Sequence, residues 1–359
     1  MKRPALIAIG VVVALIAIAL IILSQGPAVV MSPTASSTTP AIVTASNMGD
    51  TETLPVYDVT MPEFAGIVKW WNTPESQPLT TESLKGKVVL VDFWTYSCIN
   101  CIRTYPFLKS MYEKYADKGL VIVGVHTPEF EFEKNPENVA REIEKNGLKY
   151  PIALDPDYQT WNAYANHYWP AGYLFDQQGR LRRVHFGEGG YDESEAAIRS
   201  LLEEGGKTLG AETATNMDQP NFANIKTQET YFGLNRGDAF LDTIGPKDID
   251  VTLVPNASVP NGKWTAGGVW RFTSEYAQAS SAGSIFRFTV QANKLHLVLE
   301  SSDGKDKTVE IYVDGKKTGE MTVNASTLYD IATFTDGNPH TVEVRMKDGG
   351  VRFYSATFS

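Results

Sequence analysis

The stretch Lys87 to Cys101, KVVLVDFWTYSCINC, constrains this chain more than any other part of it. Lys87–Trp94 is a short apolar run rich in β-branched residues, fit for a buried strand. Ile99–Lys118 follows with helical spacing. A strand that turns straight into a helix places Cys98 in the first turn, with Ser97 before it as N-cap. Unsatisfied amides and the helix dipole there favour a thiolate over a thiol. Cys101, three residues on, projects from the same helical face and can attack a mixed disulfide formed at Cys98. The chain has no other cysteine, so no disulfide framework staples the fold. The pair reads as a two-thiol exchange device, Cys98 attacking and Cys101 resolving. A purely structural disulfide is the plainer alternative, although so tight a loop constrains little chain. A zinc site would need further ligands, and His126, His167, His185, His296 and His340 show no ligand spacing.

Strand and helix patterns alternate from residue 57 to 207. A second buried run spans Leu120–His126, a helix over Asn138–Asn146 stops at Gly147, and Ile152–Leu154 is a short strand. Tyr158–Asn166 reads as a helix, Gly172–Asp176 and Arg180–Phe186 as strands, and Glu193–Glu204 as the closing helix. This alternation predicts an α/β domain, a mixed sheet covered by helices. Beyond residue 208 helical periodicity stops. Alternating stretches take over at Ser284–Val290, Leu295–Leu299, Thr308–Val313, Gly319–Val323, Thr341–Met346 and Val351–Phe358. Asp314-Gly315 between two of them is a hairpin signal. An all-β sandwich over residues 229–359 is predicted. Residues 208–228 read as a linker that few contacts cross, so residues 1–207 are expected to exchange disulfides without the sandwich.

Ala5–Leu23 is uncharged and almost wholly apolar, and as a helix of about 28 Å it matches a bilayer core. With Lys2 and Arg3 ahead of it, it predicts a transmembrane signal-anchor over residues 1–23 and export of the chain beyond Leu23. A cleaved signal peptide is the alternative, but its apolar core would be shorter. Residues 24–56, rich in Ser, Thr and Pro, read as a disordered tether. Net charge is −10, from 32 basic and 42 acidic residues, and no basic domain exists, which argues against a nucleic-acid partner.

VDFW, then CxxC, then Pro106 five residues after the second cysteine, resembles the active-site strand and helix of thioredoxin-like proteins. Trp169-Pro170, just before GYLFD, matches the place of their cis-proline, and the insertion before it resembles the TlpA-like branch. FWTYSCINC, GVHTPEFEFEK, YWPAGYLFD, ETYFG and LYD resemble the periplasmic part of DipZ-type proteins. That part is a thioredoxin-like domain followed by a jelly-roll or carbohydrate-binding-module-like β-sandwich. The resemblance covers residues 57–359, most specifically 88–130 and 165–176. It departs at the membrane, where DipZ-type proteins carry a multi-helix electron-transfer domain and this chain has one apolar segment.

The resemblance also implies roles. Asp92, a charge in an apolar strand that is costly to bury without purpose, matches the carboxylate that relays a proton to the buried cysteine. An acidic residue that opposes the thiolate would match Glu129 or Glu131, of which Glu129 is nearer the strand end, and a solvated acidic loop is the plainer reading. Trp94 would shield the site's rim or touch the client. Trp169, beside a cis Pro170, would offer its backbone to an extended client segment. Glu133 and Lys134 read as solvated surface, and His126 as a packed structural residue. Trp264, Trp270, Tyr276, Tyr329, Phe353 and Tyr354 would suit a glycan if exposed, although such strand aromatics more often form a core, and the sandwich would otherwise dock a protein client or the redox domain itself, or serve as a spacer.

The expected protein is an exported, membrane-anchored thiol–disulfide oxidoreductase on the outer face of the cytoplasmic membrane or in the periplasm. Its redox centre is the Cys98–Cys101 disulfide, with no further cofactor or metal. Expected partners are protein thiols and disulfides, an unidentified membrane electron donor, the membrane itself through residues 5–23, and a glycan at the sandwich. Ile99-Asn100 lacks the features of strongly oxidising pairs, and with the TlpA-like resemblance this points to a reductant, as in cytochrome c maturation. The rival expectation is a surface glycan- or protein-binding module on a vestigial thioredoxin-like scaffold.

Overall fold

The computed structural model describes residues 54–359 except 75–76, 211–216, 218–221, 238 and 244. The expected anchor over residues 1–23, and the tether up to residue 53, lie outside the described residues. Among those described, no helix is long and apolar enough to cross a membrane.

The first half is built on one sheet. Its elements are β1 (Lys69–Trp71), β2 (Val88–Trp94), α1 (Ile99–Tyr115), β3 (Leu120–His126) and α2 (Pro136–Asn146). Then come β4 (Ile152–Leu154), α3 (Gln159–Ala163), β5 (Ala171–Phe175), β6 (Leu181–Phe186) and α4 (Tyr191–Glu204). The strand order is β1-β4-β3-β2-β5-β6, with β2 parallel to β3 and antiparallel to β5. β2 is buried along its whole length because both faces are covered. Val88, Leu90 and Trp94 share a core with Met111 of α1 and Leu201 of α4. Val89, Val91 and Phe93 face Trp161 and Tyr164 on the other side. Alternation puts Asp92 on the face that α1 covers.

One helix is shorter than its pattern. Tyr158–Asn166 keeps only Gln159–Ala163 helical, bounded by left-handed backbone at Tyr158 (φ 60°) and Ala165 (φ 48°). Trp161 and Tyr164 pack edge-on against Phe93 at 5.7 and 5.2 Å, and this tertiary contact overrides the helical pattern.

The second half is all β. Its strands are β7 (Thr230–Tyr231), β8 (Asp250–Leu253), β9 (Trp264–Phe272), β10 (Ala277–Ala279), β11 (Ile285–Val290) and β12 (Lys294–Ser301). β13 (Lys307–Val313), β14 (Lys316–Val323), β15 (Thr327–Thr333), β16 (His340–Met346) and β17 (Val351–Phe358) complete it. They pair in the series β14-β13-β16-β11-β9-β10-β17-β12-β15, with β7 on β17 and β8 on β9. Phe286 of β11 and Phe353 of β17 stack with centroids 4.8 Å apart. A flat sheet, at about 4.8 Å per strand step, would hold them roughly 14 Å apart. The series therefore folds over a single core, and its two layers share β9. Asp314 and Gly315 take φ of 50° and 79° in the hairpin between β13 and β14, as expected.

The candidate glycan aromatics do not form an exposed face. Trp264, Trp270 and Phe353 are fully buried in the core, Tyr354 is buried, and Tyr276 and Tyr329 are half-buried.

The halves meet across a seam instead of hanging on a bare linker. Phe130 and Phe132 stack on each other and pack against Tyr354 of β17 at 5.1 and 4.7 Å. Tyr96 donates a hydrogen bond to the Ser326 carbonyl at 3.0 Å, and Thr327 to Glu142 at 3.1 Å. The expectation that residues 1–207 stand free of the sandwich therefore gives way to a shared apolar cluster. Phe130→Ala is expected to cost ~3–5 kcal/mol, read as a lower urea midpoint of the whole chain. A loss under about 1 kcal/mol would show that the seam contributes little.

Candidate active site

β2 delivers the chain to the site and α1 carries it away. Cys98 is itself the N-cap, with extended backbone (φ −80°, ψ 115°), and its carbonyl accepts the Ile102 amide at 3.0 Å. Ser97, expected in that place, sits one residue too early. Its hydroxyl and amide donate instead to Glu133 Oε1, at 2.7 and 3.3 Å. Cys98 is half-buried, Cys101 is fully buried, and both are free thiols. Burial pushes the Cys101 thiol well up, and a hydrogen bond with the neighbouring Cys98 thiol acts in the same direction. One reachable and one sealed sulfur, a helical turn apart, suit attack and resolution.

Asp92 is 5 % exposed, and its Oδ2 has no hydrogen-bond partner among the described residues. Burial pushes its carboxyl up to about 8, and its charge adds to the upward push on Cys101. It is flanked in the sheet by glycines, Gly124 of β3 and Gly172 of β5. Trp94 and Tyr150 fill the space over Gly124. The space over Gly172 opens into a cavity of about 50 Å³ beneath α1 and α4. A carboxyl that titrates near neutrality beside a thiol that must ionise can take and return its proton.

The Trp169–Pro170 bond is cis, and Pro170 is buried. The Trp169 indole is pinned: Nε1 donates to the Thr127 carbonyl at 3.0 Å, and the ring lies 4.3 Å from that of Trp161. Trp169 packs on the same core as Cys98.

Three sequence expectations are corrected. Trp94 is not at the rim; it is fully buried, edge-on to His126 and Tyr105 at 4.9 and 5.7 Å, and cannot touch a client. Glu129 does not stand free near the cysteines. Its Oε1 accepts from the Tyr231 hydroxyl at 2.8 Å and from Arg236 at 2.6 Å, so it ties the halves together. Glu133 is not solvated surface; it is fully buried. Besides Ser97, it accepts the amides of Glu129 and Phe130 at 2.6 and 3.0 Å. His126, fully buried against Trp94 and Tyr96, is pushed down to about 3 by burial and stays neutral.

Arg103 escaped the sequence reading too. Its guanidinium forks onto Glu188, reaches Asn100 Oδ1 between the cysteines at 2.7 Å, and touches the Phe358 carbonyl at 3.4 Å. The spacing of Asn100 and Arg103, one helical turn, was the available signal.

Residues 58–184 match the AhpC/TSA family, and residues 227–359 match the thioredoxin-like C-terminal domain family. Protein DipZ of Mycobacterium tuberculosis (strain CDC 1551 / Oshkosh) is 36% identical over 309 residues, 83% of this chain and 43% of that one. The chain thus spans less than half the length of that relative. Thiol-disulfide oxidoreductase YkuV of Bacillus subtilis (strain 168) is 33% identical over 145 residues, 40% of this chain and 95% of that one. A solved thioredoxin-like protein in its oxidised form shares 33% identity, with a TM-score of 0.37 over 40% of this chain and 95% of its own.

Proposed function

The chain belongs to the thioredoxin-like thiol–disulfide oxidoreductases, and on that premise we propose that it is an exported, membrane-anchored reductant of client disulfides. The observation that carries the exchange role is the half-buried Cys98 at a helix N-cap with the sealed Cys101 one turn on. The Cys98 thiolate attacks a client disulfide, forming a mixed disulfide and releasing one client thiolate. Cys101 passes its proton to Asp92, which accepts it only in its ionised form, and attacks Cys98 Sγ, which closes the Cys98–Cys101 disulfide and releases the second thiolate. Two electrons pass from the protein to the client, and a thiol donor must return them. The backbone at Trp169 and Pro170 would hold the client segment. No cofactor beyond the cysteine pair enters this cycle.

The reducing direction is supported by the surroundings of the pair. Strong oxidants stabilise their reduced form, whereas the cation nearest in sequence, Arg103, is matched by Glu188. Anchoring rests on the apolar segment 5–23, followed by the tether 24–56, the redox domain 57–207, the connection 208–228 and the sandwich 229–359. The donor would lie in the membrane, and apocytochrome c thiols are the client class that the TlpA-like resemblance suggests. The reduction potential of the Cys98–Cys101 pair tests this reading. A value below about −250 mV fits a reductant, and one near −120 mV would overturn it.

Asp92→Asn is expected to slow turnover several-fold and flatten its pH profile; an unchanged profile would refute the relay. Stability carries a second signature. The Asp92 carboxyl titrates near 8 when folded against 3.8 ordinarily, so between these values the native state holds a proton that the unfolded chain has lost. Its contribution is complete below that window and is lost as pH rises through it. Urea midpoints at about pH 5 and pH 8 should therefore lie closer together in Asp92→Asn than in the parent chain.

A further inference from the structure

We propose that the cavity beside Asp92 is the proton exit of the resolving step, and that His185 passes protons between Asp92 and solvent. The proposal rests on the reading of Asp92 as relay. Sheet register places the parts. Asp92 pairs with Gly172, and Gly172 pairs with His185. Directly opposite residues of an antiparallel pair share a face, so Asp92 and His185 lie on one face, two strand steps or about 10 Å apart. Only a glycine stands between them.

The gap is roomy and mostly apolar, with a few polar groups in its lining. The cavity of about 50 Å³ is lined by Asp92, Thr104, Gly172, Arg183 and His185 among apolar residues of α1 and α4. Three polar atoms of these lining residues, Asp92 Oδ2, Arg183 Nε and His185 Nε2, are buried with no hydrogen-bond partner among the described residues. A water needs roughly 10–15 Å³ and 2–4 polar partners, so this space suits a short water chain touching all three. The His185 ring lies against Gly190, between the lining residues Gly189 and Tyr191.

The charged surroundings suit a carrier. His185 faces Arg183 on its own strand and Glu193 on α4, with the backbone of Glu188 and Gly189 beside it. Asp92 faces Cys101 on α1 and Tyr150 across the sheet. Burial, with help from Arg183, pushes His185 down, so near neutral pH it is an imidazole that can accept on one nitrogen and donate from the other. The proton then runs from Cys101 Sγ to Asp92 Oδ2, through water to His185 Nε2, and out. No electron travels this way. Asp92, once protonated, must be emptied before the next cycle, and the cavity is the space it shares with His185.

Two variants of the full chain test the path from opposite ends. His185→Ala removes the carrier. Gly172→Ala plugs the gap, and its methyl would meet Leu90 Cδ1 at 3.5 Å, an ordinary contact the fold tolerates. The probe is the mixed disulfide of Cys98 with thionitrobenzoate, whose release by Cys101 is followed by absorbance. Both variants should slow release at least about threefold near neutral pH, a fraction of the ~10²–10⁴ that positioned proton transfer supplies. Alkylation of Cys98 should keep its rate. Added imidazole should restore His185→Ala, which has room for it, and leave Gly172→Ala slow. Unchanged release in either variant that retains the parent urea midpoint overturns the proposal. So does a slow His185→Ala that neither imidazole nor another small buffer rescues. Asp92→Asn in the same assay separates the two ideas. A fast Asp92→Asn removes the relay itself, while a slow one beside unaffected His185→Ala and Gly172→Ala removes only the exit.

Discussion

Cys98→Ser should reduce exchange to background, a loss of more than ~10³-fold, because the attacking sulfur is gone and no other sulfur can be reached by a client. Cys101→Ser should behave differently. Attack still occurs, but the resolving sulfur is missing, so mixed disulfides with clients accumulate and show as adducts on non-reducing gels. The structural ground for this split is exposure: Cys98 is half-buried at the helix start, and Cys101 is fully buried one turn on. Burial also pushes the Cys101 thiol up, so it waits for a proton acceptor. Alkylation of the reduced parent chain near neutral pH checks the assignment directly. Faster labelling of Cys101 than of Cys98 would reverse the roles.

How legible each part of the chain is depends on where its signal is stored. β2 is legible because burial on both faces makes it apolar at every position but Asp92, and the cysteine pair because helix start and spacing are local. Asp92 stood out as the one charge in that run. β9 was missed because Gly267 and Gly268 interrupt its pattern just where it passes from pairing with β11 to pairing with β10. β1 and β7, of three and two residues, are too short to show any period. The glutamates 129, 131 and 133 look equivalent in sequence, yet they do three different things. Glu129 meets Arg236, Glu131 pairs with Lys134 at the surface, and Glu133 turns inward. A short 3-10 turn over Glu131–Lys134 makes the difference, folding back beneath the amides of Glu129 and Phe130. The depth of Trp94 is illegible for the same reason. Its position before the cysteines is local, but its depth is set by His126, Tyr105 and Gly124 from other elements.

Glu133→Ala should destabilise the chain by ~3–5 kcal/mol, since buried donors left without an acceptor cost ~1–3 kcal/mol each and water can relieve only some of them. The donors are the Ser97 amide and hydroxyl on one oxygen and the Glu129 and Phe130 amides on the other. An ionised carboxylate, which only accepts, matches all of them. Glu133→Gln should cost less, ~1–3 kcal/mol, because its amide nitrogen turns a donor toward one of the two donor pairs. The pH dependence separates lost charge from lost shape. Burial first, and Glu129 next, push the Glu133 carboxyl up to about 7 from 4.5. Within that window the native state keeps a proton the unfolded chain has released, so this contribution falls as pH rises from 4.5 through about 7. The Gln variant should lose that slope. One carboxylate thus holds both the residue before Cys98 and the loop that carries Phe130 into the seam, so either variant should alter Cys98 alkylation and seam stability together. Urea midpoints on both sides of the window, with alkylation rates on the same samples, decide the matter. A loss under about 1 kcal/mol in Glu133→Ala, or a pH slope that survives in Glu133→Gln, would show that Glu133 is not the tie between thiol and seam.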